Sequence, residues 1–473
     1  MRSFSRRLFA VVLLLSFALA SVGQSPAPAR DYSREKARPV VGWARDGVIY
    51  EIWERAFSPA GNFNGITARL DDLKRTGVDI LWLMPVNPIG QKGKKGTIGS
   101  PYAVRDYYGI NPAYGTKHDL KRLVREAHAR GMKVIVDVVF NHTAWDNPLV
   151  TQHPEYYHHD AKGNISYPET WTDVAWLDYS KPALRAYIIE VMKYWVREYD
   201  LDGFRCDVAH MIPTEFWEQA RAELDKLKPG LFMLAEAEDP DQMVKAFDSD
   251  YSWSMMHAIN NAVARTEPAT AVRDAWLKER QSFPQGTLPM RISDDHDESR
   301  AVVRLGQQGA LAAQAIVFTL DGIPLVYNGM EVGDSAESGD PALFEKVPIT
   351  WGISKRRPEF QRFYTKMIAL RKTSEAMRRG DLHWLANSDD QRLVTFLRSS
   401  GNERVFVAVS TTGEAIDATV TGLPGGQWED ITPDLHLDGT RQPLNVLDPG
   451  KVQLEPWGMR LLRQAVSASR ASQ

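Results

Sequence analysis

The strongest constraint in this chain of 473 residues is the order of four charged motifs, each at the end of a strand-like apolar run. Three acids that are far apart in sequence, Asp207, Glu236 and Asp297, each follow such a run. A closed parallel barrel gathers the carboxyl ends of its strands on one face, where barrel enzymes place their chemistry. The pattern therefore predicts a parallel barrel that brings the three acids to one site. The motifs are DVVFNH (137–142), GFRCDVAH (203–210), LFMLAEAE (231–238) and DDHD (294–297).

Strand-like runs alternate with helical patterns along most of the chain, which is typical of βα units. We therefore predict an α/β fold, a (β/α)8 TIM barrel. Thr116 has the chemistry of a helix N-cap, and Gly131 that of a helix end. Further helices are predicted at 64–76, 182–199, 215–228 and 310–320. The predicted strands lie at 48–57, 78–86, 132–139, 201–208, 231–235, 248–253, 288–293 and 324–328.

Two departures from the βα pattern define further domains. A polar and aromatic insertion at 143–175 follows the third predicted strand and is too long for an ordinary βα loop. From about residue 382 the pattern changes to short alternating strands, such as 404–409 and 459–462. We assign residues 40–380 to the barrel with its lid insertion, and 381–465 to a C-terminal all-β domain of the sandwich type. Residues 466–473 are predicted to be disordered.

The N-terminal residues have the pattern of a targeting segment. Arg2, Arg6 and Arg7 precede an apolar run at 8–20 that ends in Ala-Leu-Ala, a small-x-small cleavage site. The run is short for a bilayer span, and no Cys follows it that would carry a lipid anchor. We predict a signal peptide at 1–20, a flexible leader at 21–39, and export to the periplasm or the medium without a membrane anchor after cleavage.

Charge and cysteine content exclude several classes of protein. The net charge of −3 gives no reason to expect a nucleic acid or an anionic membrane as partner. The single cysteine, Cys206, cannot form an internal disulfide. Side chains alternate along a strand, so Cys206 should point away from the face that carries Arg205 and Asp207. We predict that it is a buried structural thiol.

At the four motifs the chain resembles the α-amylase family, glycoside hydrolase family thirteen, from about Val48 to Trp457. The resemblance implies that Asp207 is the nucleophile, that Glu236 is the acid/base, and that Asp297 stabilises the distorted sugar. Retaining glycosidases hold their two reacting carboxyl groups roughly 5–5.5 Å apart. The resemblance also implies an α-glucan substrate and a set of residues that bind it, namely Tyr102, Asp137, His142, Arg205, His210 and His296.

The residues themselves lead to expectations about charge at this site. Arg205 shares a strand face with Asp207 and should keep that carboxyl ionised. Glu236 must start protonated, so its pKa should be raised by burial and like charge. Glu238 is the rival acid/base, but it lies beyond the strand end, and Glu236 is preferred. Asp295 stands where the family commonly has Asn, which should add a negative charge beside the site.

No cofactor is expected for the chemistry. Many family members hold calcium between lid and barrel, and Asn141 together with the backbone oxygen of His210 match part of that site. The Asp expected in the lid is Trp176 here, with Asp173 and Asp178 offset from the position. Calcium takes six to eight oxygen ligands, which cannot be assembled from this sequence. Calcium binding is therefore the less favoured alternative.

Three functional hypotheses follow. The leading one is an exported α-amylase that hydrolyses α-1,4 bonds of starch-like glucans and maltooligosaccharides through a covalent glycosyl-Asp intermediate. The second, in the same family, is a cyclomaltodextrinase-like, neopullulanase-like or 4-α-glucanotransferase activity. Cyclodextrin-specialised relatives commonly carry an N-terminal β-domain, and only the short leader precedes the first predicted strand, which favours the first hypothesis. The third, a non-catalytic glucan-binding protein, is disfavoured because all three acids are present.

Overall fold

The computed structural model describes residues 30–436 and 444–465. The predicted signal peptide at 1–20, the first part of the predicted leader and the predicted tail at 466–473 lie outside the described residues. Within the described ranges, no helix combines the length and the apolar character that a bilayer span requires.

The last residues of the predicted leader, Ala37 and Arg38, are bonded to the barrel. Ala37 donates its N–H to the carbonyl of Gln285 at 2.9 Å, and Arg38 donates its N–H to the carbonyl of Met243 at 2.9 Å. The Arg38 guanidinium also pairs with Asp225 at 2.9 Å. The structure corrects the leader prediction for this part of the chain, because composition alone does not reveal such distant partners.

The strands of the described residues are short in the barrel and longer in the C-terminal domain. Numbered along the chain, they are β1 (Ile49–Ile52), β2 (Ile80–Leu83), β3 (Lys133–Val138), β4 (His142–Ala144), β5 (Val174–Trp176), β6 (Gly203–Cys206), β7 (Phe232–Ala235), β8 (Ser249–Asp250), β9 (Met290–Arg291), β10 (Ile323–Tyr327), β11 (Asp381–Trp384), β12 (Leu393–Ser400), β13 (Glu403–Ser410), β14 (Ile416–Thr419), β15 (Trp428–Asp430), β16 (Leu444–Val446), β17 (Lys451–Leu454) and β18 (Met459–Ala465).

Eight of these strands form one parallel sheet in the order β8-β7-β6-β3-β2-β1-β10-β9. The edge strands β8 and β9 are joined by side chains, because Ser249 donates its hydroxyl to Leu288 O at 2.7 Å and Ser252 donates to Met290 O at 2.7 Å. With the α-helices around the sheet and a C-terminal all-β domain, this arrangement confirms the predicted (β/α)8 class.

Alternation along the strands decides which side chains face the barrel interior. Ile49, Ile80, Trp82 and Ile135 belong to one buried cluster. Their chain neighbours belong to the larger cluster that packs against the helices, which contains Tyr50, Ile52, Leu81, Leu83, Val134 and Val136. Because side chains alternate with a period of two, Glu51, Asp137 and Arg205 extend the inner face toward the carboxyl ends of their strands.

The helices lie between the strands and after the barrel. Short 3-10 turns occur at Tyr32–Arg34, Pro154–Tyr156, Ala209–Met211, Met330–Val332 and Trp351–Lys355. The α-helices are α1 (Gly42–Arg45), α2 (Glu54–Phe57), α3 (Phe63–Thr67), α4 (Leu70–Thr76), α5 (Lys117–Ala129), α6 (Leu149–Gln152), α7 (Pro182–Tyr199), α8 (Thr214–Leu227), α9 (Gln242–Lys245), α10 (Trp253–Val263), α11 (Thr270–Ser282), α12 (Ala301–Arg304), α13 (Gly306–Thr319), α14 (Asp340–Leu343), α15 (Pro358–Thr373) and α16 (Glu375–Arg379).

Two helices form as their local sequence patterns predict. Thr116 caps α5 through a capping box with Asp119, in which the Thr116 hydroxyl accepts from the Asp119 N–H and the Asp119 carboxylate accepts from the Thr116 N–H. The buried face of α5 is the predicted one, with Leu120, Leu123, Val124 and Ala127. Helix α7 spans the predicted residues, with Pro182 in its first turn.

Predicted elements that depend on distant contacts are wrong in detail. The first strand ends at Ile52, because the Trp53 N–H donates to the Asn328 side chain at 2.9 Å and helix α2 follows. The predicted helix at 64–76 is two helices, α3 and α4. At the break between them the Arg69 guanidinium lies 3.6 Å from the ring centroid of Trp351. The sixth and seventh strands are two residues long rather than six.

The predicted lid insertion is a small folded unit. Its ends pair as antiparallel strands β4 and β5, with His142 opposite Trp176 and Ala144 opposite Val174. Between them lie α6 and one 3-10 turn. The Thr143 and Tyr157 hydroxyls lie 2.9 Å apart and are buried, which fixes the inner edge of the unit.

The C-terminal domain confirms the predicted all-β class. Its main sheet is antiparallel with the order β11-β12-β13-β18-β15-β16, and β14 pairs with β17 in a second sheet. Leu393 and Leu397 of β12 pack between these sheets, whereas Val394 and Phe396 join the cluster that contains the barrel helices. The alternation along β12 therefore attaches this domain to the barrel.

Candidate active site

The charged residues that end the barrel strands meet on one face, as the sequence predicts. Asp207 follows β6, Glu236 follows β7, and Asp297 lies in the loop after β9. All three line one cavity of about 530 Å³. The other residues of its wall are Lys95, Ser100, Tyr102, His142, Thr170, Trp171, Asp173, Val174, Val208, His296, Leu343 and Phe344.

Arg205 links the acids beneath the cavity and has no solvent exposure. Its Nη1 donates to Asp207 Oδ1 at 2.9 Å and to Asp137 Oδ1 at 2.9 Å. Its Nη2 lies 2.9 Å from Glu236 Oε2. Nε donates to the Tyr251 hydroxyl at 3.2 Å. One guanidinium thus contacts both carboxylates that the sequence predicts to react, and a third that stands behind them.

Glu236 and its rival Glu238 have different surroundings. The Glu236 carboxylate accepts a hydrogen bond from the Val208 N–H at 2.7 Å and faces the cavity. The Glu238 carboxylate accepts from the Ser254 N–H at 2.8 Å and from the Ser254 hydroxyl at 2.9 Å, in the first turn of α10. The Glu238 carboxylate is therefore bonded to the first turn of α10. Of the two acids, only Glu236 is available to a ligand in the cavity.

The protonation of the two acids differs from the sequence-based expectation. Burial and the neighbouring Glu236 carboxylate raise the pKa of Asp207 well above its ordinary value, and Arg205 offsets only part of this rise. Burial acts on Glu236 too, but Arg205 and the Val208 N–H outweigh it and lower the pKa of Glu236. From the sequence, Arg205 was expected to pair with Asp207 alone, whereas its guanidinium also pairs with Glu236.

His296 is a buried imidazolium. Its Nδ1 lies 2.5 Å from Glu51 Oε1 and its Nε2 lies 3.2 Å from Asp297 Oδ2. Burial opposes the charged form, but Asp297 and Glu51 together raise the pKa of His296 to about 10. His296 therefore carries a positive charge at neutral pH and adds a cationic group, besides Arg205, to an acidic site. Glu51, buried in β1, is a site residue that sequence reasoning missed, although an acid inside the apolar run IYEI was a usable signal.

Tyr102 connects His296 to Asp137. The Tyr102 oxygen lies 2.7 Å from His296 Nε2, and its hydroxyl donates to Asp137 Oδ2 at 3.1 Å. The Tyr102 and His296 rings stack with centroids 5.6 Å apart. Burial raises the pKa of Asp137 to about 6 against the attraction of Arg205 and His296. The network orients the Tyr102 ring at the cavity wall, where it can stack on a sugar face.

His142 and the lid form another part of the wall. Burial lowers the pKa of His142 to about 4, so the ring is neutral at pH 7. Its ring lies edge-on to Trp171 of the lid, with centroids 5.5 Å apart. A neutral imidazole both donates and accepts, which suits the hydroxyl groups of a sugar.

Burial works against the negative charge that was expected at Asp295. It is fully buried, and its Oδ1 accepts from the Asp297 N–H at 3.1 Å. Burial and the nearby Asp297 raise the pKa of Asp295 well above its ordinary value, which favours the neutral acid. A neutral carboxyl resembles the side-chain amide that the family commonly has here.

Three predicted residues stand apart from the cavity wall, namely His210, Asp137 and the Arg205 already described beneath it. His210 is exposed, and its Nδ1 lies 3.5 Å from the Glu236 carbonyl. Asp137 is fully buried below the wall. Cys206 is buried as predicted, and burial raises the pKa of its thiol well above the ordinary value.

Of the residues considered for calcium, Asn141 offers an oxygen, and the two nearby carboxylates are already paired with lysines. The Asn141 side-chain oxygen is buried without a hydrogen-bond partner among the described residues, while its amide nitrogen lies 3.7 Å from the Met211 sulfur. Asp173 is paired with Lys95 at 3.0 Å, and Asp178 with Lys181 at 3.2 Å. Among residues 30–436 and 444–465, no group of three or more His, Cys, Asp or Glu side chains has the geometry of a metal site.

Comparisons with known proteins agree with this geometry. Residues 42–346 match the family model described as "Alpha amylase, catalytic domain". A cyclomaltodextrinase from Geobacillus thermopakistaniensis is 26% identical, over 82% of this chain and 72% of the relative. The crystal structure of a noncanonic maltogenic α-amylase from Thermotoga neapolitana superposes with a TM-score of 0.81 at 31% identity, covering 90% of this chain and all of that one. An α-amylase structure from Lactobacillus plantarum gives a TM-score of 0.77 at 31% identity over 89% of this chain and all of that one.

Proposed function

The chain belongs to the α-amylase family of glycoside hydrolases, and we propose that it hydrolyses α-1,4 bonds of short and cyclic maltooligosaccharides with retention of configuration. This is the second of the sequence-based hypotheses. It is supported by a cavity of about 530 Å³ and by the likeness to a cyclomaltodextrinase and to a maltogenic α-amylase. A cavity of this size suits a ligand of a few sugar units.

The observation that carries the chemical proposal is the contact of one buried guanidinium with both reacting carboxyl groups. Arg205 lies 2.9 Å from Asp207 and 2.9 Å from Glu236. A shared cation favours the short carboxyl separation of retaining enzymes, roughly 5–5.5 Å, over the 6.5–9.5 Å of inverting ones.

In the proposed first step the Asp207 carboxylate attacks the anomeric carbon while the bond to the leaving oxygen breaks. Glu236 gives its proton to that oxygen, so the leaving sugar departs as an alcohol. In the second step Glu236 takes a proton from water, whose oxygen attacks the same carbon and displaces Asp207. Asp297 and the cationic His296 hold hydroxyl groups of the sugar as positive charge develops on the ring.

The reaction needs Glu236 protonated and Asp207 ionised, and bound substrate favours both. A glycosidic oxygen accepts a hydrogen bond from a protonated Glu236 but not from an ionised one. Positive charge at the anomeric carbon stabilises an ionised Asp207. Because Asp207 must be ionised and its pKa is raised, activity should be lost on the acid side at a higher pH than for an ordinary carboxylate.

The test is a time course of products from maltotriose, a cyclodextrin and soluble amylose, resolved by chain length. Faster turnover of the two small substrates, with maltose as the early product, supports the proposal. A spread of intermediate oligosaccharides from amylose, with a cyclodextrin left intact, supports an endo-acting α-amylase instead. Asp207→Asn is the control, and wild-type turnover by that variant would refute the assignment of the nucleophile.

We also propose that the protein is exported. The supporting pattern is Arg2, Arg6 and Arg7 ahead of the apolar run at 8–20. Cell fractionation of the source organism, with N-terminal sequencing of the mature protein, tests this. A cytoplasmic protein that keeps its first twenty residues would refute it.

A further inference from the structure

One end of the cavity is closed by two chain segments that are bonded to each other. The loop at 91–99, after β2, lies against the segment at 343–346, after β10. The Thr97 N–H donates to Glu345 Oε1 at 2.7 Å, and the Ile98 N–H donates to Phe344 O at 3.1 Å. Leu343 and Phe344 line the cavity, so the two segments form one wall.

The Arg55 side chain bonds to both segments of this wall. The side chain is nearly fully buried, and its guanidinium donates to Gly99 O at 3.4 Å, Leu343 O at 3.2 Å and Glu345 O at 3.3 Å. One cation therefore holds carbonyls of both segments.

Lys95 projects from this wall to the lid on the other side. Its Nζ lies 3.0 Å from Asp173 Oδ1, and both residues line the cavity. The Asp173 side chain is 7% exposed, whereas that of Lys95 is 42% exposed. The ion pair thus crosses from the wall to the lid at the edge of the cavity, where one partner meets solvent.

The loop that carries Lys95 is built for close approach and for movement. Gly96 has φ of 63°, and a Cβ there would lie 2.4 Å from the Phe344 Cβ, so only glycine fits against the wall. Gly93, with φ of 75°, stands on the other side of Lys95, where a Cβ would lie at an ordinary contact distance of 3.6 Å from the Trp145 ring. Glycines on both sides give this short stretch more backbone freedom than the strands that support the site.

We propose that the Lys95–Asp173 pair is a clasp that closes this end of the cavity and selects short glucan ends over the interior of long chains. The inference rests on the proposed function, whose substrate preference it assigns to particular residues. A glucan that continues beyond this end must part the clasp, while a short or tightly curved substrate need not. The pair is therefore a specificity determinant outside the reacting groups.

The test uses two variants that break the clasp without large changes of volume, Lys95→Met and Asp173→Asn. The measured quantity is the ratio of kcat/KM on soluble amylose to kcat/KM on maltotriose. A half-exposed ion pair is worth about two- to five-fold in such a ratio, so we expect a rise of that size in both variants, with longer early products. Molar salt should move the wild type in the same direction, because exposed ion pairs are screened.

Two further variants separate the clasp from general effects of charge. Lys92→Met removes a positive charge from an exposed position of the same loop, outside the cavity wall, and should leave the ratio unchanged. The exchange Lys95→Asp with Asp173→Lys should return the ratio toward the wild-type value. An unchanged ratio in both single variants, an equal change in Lys92→Met, or no recovery in the exchange would each overturn the clasp.

The same experiment keeps this inference apart from the proposed function. If the wild type prefers amylose from the start, the proposed function fails. The change in the ratio of the two kcat/KM values when the ion pair is broken still tests the clasp. Binding of maltotriose and maltoheptaose by calorimetry, with Glu236→Gln added to each protein, gives a readout that needs no turnover. Tighter binding of maltoheptaose, and not of maltotriose, is expected when the clasp is broken, and equal effects on both would refute it.

Discussion

Replacing Glu51 by Gln tests whether a buried carboxylate keeps His296 charged. Glu51 Oε1 lies 2.5 Å from His296 Nδ1, and both side chains are buried. The His296 pKa of about 10, against the ordinary 6.5, corresponds to roughly 5 kcal/mol in favour of the imidazolium. Asp297 and Glu51 supply this against the burial penalty, and an even division between them would lower the pKa of His296 by at least about 2 units in Glu51→Gln.

The consequence for activity is a change on the basic side of the pH profile. In the wild type His296 stays charged throughout the neutral range and holds Tyr102 and Asp297. In Glu51→Gln it should lose its proton at a pH at which the wild type is still fully active. We expect similar kcat/KM values near pH 6 and a progressive loss for the variant above about pH 8. The assay is kcat/KM against pH from 5 to 10 on one soluble maltooligosaccharide.

Glu54→Gln is the matched control. Glu54 is also fully buried, two residues after β1, and burial raises its pKa well above the ordinary range, which favours the neutral acid. An amide at this position therefore changes no charge, and the pH profile should match that of the wild type. An unaltered basic limb in folded Glu51→Gln, or an equal shift in Glu54→Gln, would refute the role of Glu51.

The same linkage makes a prediction about stability. The folded state raises the pKa of His296, so its charged form stabilises the fold fully below pH 6.5, and this contribution is lost as the pH rises toward 10. The free energy of unfolding of the wild type should fall between these pH values. In Glu51→Gln the fall should begin at the same pH and end earlier, as urea titrations at pH 6 and pH 9 would reveal.

Three further outcomes are expected. Glu236→Gln should lose at least about a hundred-fold in kcat, whereas Glu238→Gln, which alters only the start of α10, should keep most of it, as steady-state kinetics will decide. Asp202→Asn should cost roughly 2 kcal/mol in the free energy of unfolding at pH 7. Although burial opposes the charge, His128, the Val134 N–H and Lys133 lower the pKa of Asp202 from 3.8 to about 2, so the difference from wild type in urea titrations should vanish as the pH falls from 4 to 2. Excess EDTA should leave the melting temperature unchanged, because Asp173 and Asp178 are already paired with lysines, and a clear drop would show that the fold holds a metal ion.

The sequence by itself determined the fold class and the set of acids that meet. Apolar runs ending in charged motifs predict barrel strands, because alternation and strand direction are local properties of the chain. Helix α5 shows the same locality, since Thr116 and its partner three residues later define the cap. Glu236 could be preferred to Glu238 as the acid/base for a similar reason, because the position of a residue relative to a strand end can be inferred from the sequence.

Only the tertiary structure decided how charge is distributed in the site. Arg205 was expected to serve Asp207, but it also contacts Glu236, thirty-one residues further along the chain, and the order of the two pKa values follows from that contact. Glu51 reaches His296 across 245 positions of sequence. The Lys95–Asp173 clasp joins two loops whose own sequences predict no partner. Electrostatic effects depend on distance and burial in space, and neither is set by the local pattern of residues.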